Sequence, residues 1–213
     1  MTAQLIRRLH SCYLYLITPA RPPAGDLEEF LPSVLEAGVD MVQLREKDME
    51  AGVLMPFCET ARRRTREFDA LFIVNDRVDV ALAADADGVH LGQDDLPIEL
   101  ARRQTGADFV IGQSTHSRDQ VIRATRTSVD YIAVGPIYET PTKPGRAATG
   151  LDLIGEAKQV CGVPFFAIGG IDSQTLPLVL EAGARRVCVL RALTQTADPA
   201  SEARKLKSLL TDA

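Results

Sequence analysis

Short apolar runs recur along the chain at intervals of roughly 25 residues, and a stretch that reads as a helix follows each one. The runs cover residues 12–17, 40–44, 71–74, 88–91, 109–112, 131–134, 164–168 and 186–190. Most are rich in Val, Ile, Leu, Phe or Tyr, the residues that suit strands. The intervening helices are expected near 26–37, 50–68, 78–84, 97–104, 117–127, 151–160, 173–182 and 200–210. Asp26 and Ser117 are placed to cap two of them, and Gly38 to end one. Strands joined by helical crossovers pair in parallel. Eight such units in 213 residues predict an α/β chain folded as one single-domain (βα)₈ TIM barrel over residues 1–213. No linker or low-complexity segment interrupts the alternation. A doubly wound open sheet is the alternative, but it would leave two edges and usually has fewer units.

Polar residues or glycines follow most strands at their C-terminal ends, where a barrel of this kind carries its chemistry. The stretch 71–95 is the densest case. Strand three stops at Asn75-Asp76, and strand four stops at Gly92-Gln93-Asp94-Asp95. Neighbouring parallel strands send these ends to one rim. Two carboxylates about 5 Å apart repel by roughly 3 kcal/mol at an effective dielectric near 20. Asp76 and Asp95 therefore need basic neighbours or a cation between them, and oxygen-only ligands favour a hard ion such as Mg²⁺. The competing reading is that both residues cap the helices that follow.

Three further groups point to anions. Gln43, Arg45 and Lys47 alternate along an extended segment and would project to one side. Glu46 and Asp48 are interleaved with them, so a solvated charged loop is the alternative. Thr140-Pro141-Thr142-Lys143-Pro144-Gly145 offers two hydroxyls and an ammonium on a loop stiffened by prolines, which suits a phosphate or a plain exposed turn. Gly169-Gly170 follows strand seven, where backbone N–H groups can approach an anion closely. His90, between apolar strand residues, reads as a hydrogen-bonded core histidine or a base. Two anion sites plus a metal imply two phosphorylated small-molecule ligands, one of them a diphosphate.

Bulk properties narrow the partners. The net charge is −5, which disfavours general attraction to nucleic acid or to an anionic membrane. No run approaches the roughly 20 apolar residues of a membrane helix. Cys12, Cys58, Cys161 and Cys188 form no CxxC pair and read as small apolar residues in a reducing, cytoplasmic setting. His10, His90 and His116 lack zinc spacing. Arg7-Arg8 with the apolar run at 12–17 faintly imitates a secretory signal, but the run is short and lacks a cleavage site, so it is read as strand one. Oligomeric state is left open, a homo-oligomer included.

Taken in order, QLREK at 43–47, VND at 74–76, GVHLGQDD at 88–95, GQS at 112–114, GPIYETPTK at 135–143 and AIGGI at 167–171 resemble thiamine-phosphate synthase over nearly the whole chain. The resemblance implies a Mg²⁺-dependent barrel that joins 4-amino-2-methyl-5-hydroxymethylpyrimidine diphosphate to 4-methyl-5-(2-phosphoethyl)thiazole, giving thiamine phosphate and diphosphate. By resemblance, Gln43, Leu44, Arg45, Glu46, Lys47 and Asn75 hold the pyrimidine diphosphate, and Ser114 and Lys143 contact it too. Thr140, Pro141, Thr142, Gly170, Leu190 and Arg191 line the thiazole phosphate site. Asp76 and Asp95 bind Mg²⁺, and Arg45, Lys47, Ser114 and Lys143 assist departure of diphosphate. The family often has Ser where this chain has Arg191, and its first strand often ends in Asp where this chain has Thr18-Pro19. A thiazole tautomerase-like isomerase and a non-catalytic sensor of thiamine precursors are the rival readings.

Overall fold

Parallel pairing runs unbroken from β1 (Leu14–Thr18) through β2 (Met41–Leu44), β3 (Leu71–Asn75), β4 (Gly88–Leu91), β5 (Val110–Thr115), β6 (Tyr131–Val134) and β7 (Phe165–Ile168) to β8 (Val187–Val189). Strand β8 then pairs with β1, Leu14 opposite Val187, and closes the barrel. The computed structural model describes residues 2–21, 23, 26–140 and 147–212. Closure leaves no edge. Both strand faces are covered, which is why the strands read as continuous apolar runs rather than alternating ones.

Helices α1 (Thr2–His10), α2 (Leu27–Glu36), α3 (Ala51–Glu67), α4 (Val78–Ala83), α5 (Ile98–Thr105), α6 (Arg118–Ala124), α7 (Asp152–Val160), α8 (Leu176–Glu181), α9 (Arg191–Thr194) and α10 (Pro199–Thr211) complete the described elements. Asp26 caps α2 by accepting from the Glu28 N–H, and Ser117 caps α6 by accepting from Gln120. Gly38, at φ +107°, follows α2 in the conformation that glycine adopts without strain. Among the described residues no helix is long and apolar enough to cross a membrane.

Several elements differ from expectation. Helix α1 does not stand out in the sequence, yet its Leu9 is fully buried against the barrel interior with Leu5 beside it. It closes the end of the barrel opposite the site. Strand β5 runs three residues further than predicted, so Ser114 and Thr115 are ladder residues paired with Ala133 and Val134. Helix α8 starts later than expected, because Asp172 accepts from the Gln174 and Thr175 N–H groups and holds a turn first. Arg191 opens the one-turn helix α9, which was also not foreseen.

One device recurs at the N-terminal rim. Asp40, Asp87 and Asp130 immediately precede β2, β4 and β6. Each accepts N–H bonds from the start of the preceding strand and pairs with a cation on a surrounding helix. Asp40 takes Tyr13 N (2.8 Å), Leu14 N (2.9 Å) and Lys207 Nζ (2.6 Å). Asp87 takes Phe72 N (2.8 Å) and Arg62 (2.8 Å). Asp130 takes Ile111 N (2.7 Å) and Arg102 (2.6 Å). These charge-assisted bonds satisfy strand N–H groups that lack a ladder partner.

Two apolar layers fill the molecule. The larger lies between strands and helices. The smaller fills the barrel with Leu9, Tyr15, Met41, Leu71, Ile73, Val110, Tyr131 and Phe166 among others. Tyr15, Tyr131 and Phe166 meet edge to face, with centroids 5.4–5.9 Å apart. Gly112 makes room for them: a Cβ there would lie 2.1 Å from Tyr131 Cζ.

Candidate active site

A cavity of about 380 Å³ opens at the C-terminal ends of the strands. Strand β2 and the residues after it show how pleating builds one wall. Gln43 and Arg45 line the cavity, while Leu44 is buried in the layer between strands and helices. Glu46 also turns away and accepts a 2.6 Å bond from the Ala20 backbone, tying the loop after β1 to the loop after β2. The alternation read from the sequence therefore places Gln43 and Arg45 on the cavity and Lys47 close enough to act on Asp76.

Asp76 follows β3 in the left-handed region, at φ +61°, which Asp tolerates better than most residues. Its N–H donates to His90 O (2.8 Å), which locks the turn to β4. Asp95 curls back so that Oδ2 accepts from the Gly92 N–H at 2.6 Å. A Cβ at Gly92 would lie 2.8 Å from that oxygen, so a side chain there would push the Asp95 carboxylate from this position. Neither acid caps a helix: the residues at the N-cap positions of α4 and α5 are Arg77 and Pro97. Instead the two carboxyl groups come within hydrogen-bonding reach of one another. Burial and then Asp95, through its hydrogen bond and its charge, push the Asp76 carboxyl up to about 6, against the opposing pull of Lys47 and Arg45. Two acids held together beside two cations suit a hard divalent ion. Among the described residues no group of three or more His, Cys, Asp or Glu gathers around one point. An ion on this pair would need water or ligand oxygens to complete its shell, as Mg²⁺ commonly does.

A chain of hydrogen bonds crosses the barrel beneath the cavity. Gln43 Nε2 donates to Tyr15 OH. Tyr15 OH meets Tyr131 OH at 2.9 Å, Tyr131 OH meets His90 Nδ1 at 3.0 Å, and His90 Nε2 meets Ser114 Oγ at 2.9 Å. Burial holds both phenols well above their ordinary pKa, so they remain protonated. Two amide atoms at the cavity wall are buried without a partner, Gln43 Oε1 and Asn75 Nδ2. Groups like these carry a desolvation cost until a ligand satisfies them.

On the opposite wall Gly169 and Gly170 both have positive φ, +108° and +66°. A Cβ on Gly169 would lie 2.6 Å from Pro136, and one on Gly170 would lie 2.7 Å from Tyr138 Cβ. The close approach of backbone leaves Gly170, Leu190, Arg191 and Thr140 on the cavity surface. Pro141, Thr142 and Lys143 lie outside the described residues. Tyr15, His116 and Gln195 also line the cavity and were not singled out from the sequence. Tyr15 had a readable signal, being an inward position of strand one with a polar tip.

The comparisons agree with one another. A family model described as thiamine monophosphate synthase matches residues 14–193. A thiamine-phosphate synthase from Mycolicibacterium vanbaalenii is 50% identical over 218 aligned positions, covering 97% of this chain and 98% of its own. One from Mycobacterium ulcerans is 51% identical, with coverage of 95% and 97%. The solved structure of thiamine phosphate pyrophosphorylase from Pyrococcus furiosus superposes with a TM-score of 0.87 at 32% identity, covering 98% of both chains. A 3-hexulose-6-phosphate synthase structure, at 18% identity and a TM-score of 0.67, shares the fold alone.

Proposed function

We propose a mechanism for a chain that belongs to the thiamine monophosphate synthase family and is therefore a transferase that forms thiamine phosphate. Its substrates are small molecules: by this reading, the aminopyrimidine diphosphate and the thiazole phosphate. The observation that carries the reading is the Asp76–Asp95 pair, which interacts with Arg45 and Lys47 and sits next to Asn75 and Arg45 on the wall of a cavity with orphaned amides.

Gln43 and Asn75 hold the pyrimidine, whose amino group and ring nitrogens suit an unpartnered acceptor and donor. Arg45, Lys47, Ser114 and Lys143 bind the diphosphate oxygens. Gly170 and the backbone of Leu190 and Arg191, together with Thr140, Pro141 and Thr142, take the thiazole phosphate. Leu44 and Glu46 contribute from the far side of the segment by fixing its backbone. Asp76 and Asp95 hold Mg²⁺, which when bound neutralises charge on the diphosphate. The bond between the pyrimidine methylene and the diphosphate oxygen breaks with both electrons leaving on oxygen, and the thiazole nitrogen then supplies a pair to the methylene carbon. No protein nucleophile is needed. Arg45, Lys47 and Lys143 stabilise the charge that grows on the leaving group, an effect worth several kcal/mol when donors are preorganised. Juxtaposing the two substrates lowers the barrier further. The thiols of Cys12, Cys58 and Cys161 fit our placement of the enzyme in the reducing cytoplasm.

Purified protein mixed with both precursors and Mg²⁺ is expected to yield thiamine phosphate, detected by mass. Product that forms equally well with EDTA present would overturn the metal assignment. Absence of product under all conditions would overturn the activity.

A further inference from the structure

Five side chains from five strands form one continuous hydrogen-bonded line: Gln43 on β2, Tyr15 on β1, Tyr131 on β6, His90 on β4 and Ser114 on β5. We propose that this line couples the two ends of the pyrimidine site, so that an anion held by Ser114 forces Gln43 to recognise an amino group, with Tyr131, Tyr15 and His90 as positioning residues. The proposal rests on the reading of the substrates given above.

The argument is a proton count. Each phenol has a single proton, and a neutral imidazole has one N–H and one acceptor nitrogen. With Gln43 Nε2 donating to Tyr15, the Tyr15 proton points to Tyr131 and the Tyr131 proton to His90 Nδ1. The imidazole proton then sits on Nε2 and is donated to Ser114 Oγ. The serine hydroxyl keeps its own proton for the cavity, and Gln43 presents Oε1, the buried atom that has no partner. The opposite direction is also self-consistent. Ser114 would donate to His90 Nε2, every proton along the line would turn round, and the Gln43 amide would flip to present its NH₂ group. Intermediate states leave two donors or two acceptors face to face. A diphosphate oxygen beside Ser114 accepts only, so with His90 neutral it selects the first direction. Gln43 is then an obligate acceptor, and a ring bearing N–H at that point is bound while one bearing an oxygen is rejected.

Tyr131 is the joint on which this depends. It is fully buried and takes no part in the described cavity wall. Its hydroxyl bridges Tyr15 and His90 in a site that only a glycine at position 112 leaves open. A phenylalanine would fill that space as well, so the hydroxyl rather than the ring volume distinguishes tyrosine here.

The test is the ratio of kcat/KM for the natural pyrimidine diphosphate over the analogue with an oxo group in place of the 4-amino group. Wild type is expected to favour the amino compound by about a hundredfold or more. Tyr131→Phe keeps the shape but frees Tyr15, so the ratio should fall about tenfold, and Ser114→Ala at the far end should relax it too. Loss of packing alone would lower both rates and leave the ratio intact. An unchanged ratio in both variants overturns the proposal. A second readout needs no turnover. Nitrogen-15 shifts of His90 in wild type, free and with inorganic diphosphate plus Mg²⁺, should place the proton on Nε2, and a proton on Nδ1 with diphosphate bound overturns the coupling. If the assay gives no thiamine phosphate from either pyrimidine, the functional reading is at fault, and the histidine tautomer still decides the direction of the line.

Discussion

Replacing Asp76 by Asn should make the metal-free protein more stable while removing its proposed Mg²⁺ response. Asp76 is raised from 3.8 to about 6 by burial and by Asp95. A rise of that size corresponds to about 3 kcal/mol, and solvent screening at a half-buried carboxylate leaves about 1–2 kcal/mol. The sign follows from proton linkage. Between pH 4 and 6 the folded protein binds more protons at this site than the unfolded chain does, so stability falls as pH rises through the window. At pH 7 the full cost is present. Asparagine carries no charge, tolerates positive φ, and can donate to Asp95. For a chain of 213 residues, relief of 1–2 kcal/mol raises Tm by roughly 2–6 °C. Thermal melts at pH 7 in EDTA should show that gain, and melts near pH 4 should show none. Adding Mg²⁺ should raise the wild-type Tm by mass action and leave the variant unmoved. A variant that melts below wild type at pH 7 in EDTA, or that responds to Mg²⁺ as strongly, would refute the picture of two acids held together for an ion.

Two further substitutions probe the scaffold. Asp87→Ala removes the acceptor shared by Phe72 N and Arg62, leaving a largely buried guanidinium unpaired; it should cost about 3 kcal/mol in urea unfolding. Gly112→Ala places a methyl group onto the Tyr131 ring; a cost of about 1–3 kcal/mol is expected, with lower activity because Tyr131 must leave its hydrogen bonds.

How much could be read in advance follows from how local each cause is. Strands β4 and β6 match their predicted bounds residue for residue, because burial on both faces writes itself as an unbroken apolar run. Asp76 and Asp95 could be brought together because two neighbouring parallel strands must end on the same rim. Helix α1 escaped notice because Leu5 and Leu9 acquire meaning only against the closed end of the barrel. Ser114 looked like the start of a loop, since Gln-Ser-Thr carries no apolar signal, yet β6 supplies its ladder partner. Asp40 reads as the first residue of strand two, and nothing in the sequence marks Asp87 or Asp130, because the cations that all three hold lie on helices far away in sequence.

The line from Gln43 to Ser114 is the extreme case. Tyr15 and Tyr131 are 116 positions apart and touch only once the barrel has closed. In the sequence each lies in an apolar strand, and only the polar tip of the ring hints at more. A closed barrel interior has little water and no edge, so a polar atom there must be answered by another inward side chain. Replacing both phenols together by phenylalanine would fill the same space and remove two buried hydroxyls that must otherwise be answered. The pair is therefore better explained by the direction it imposes on Gln43 and Ser114 than by any stability it supplies.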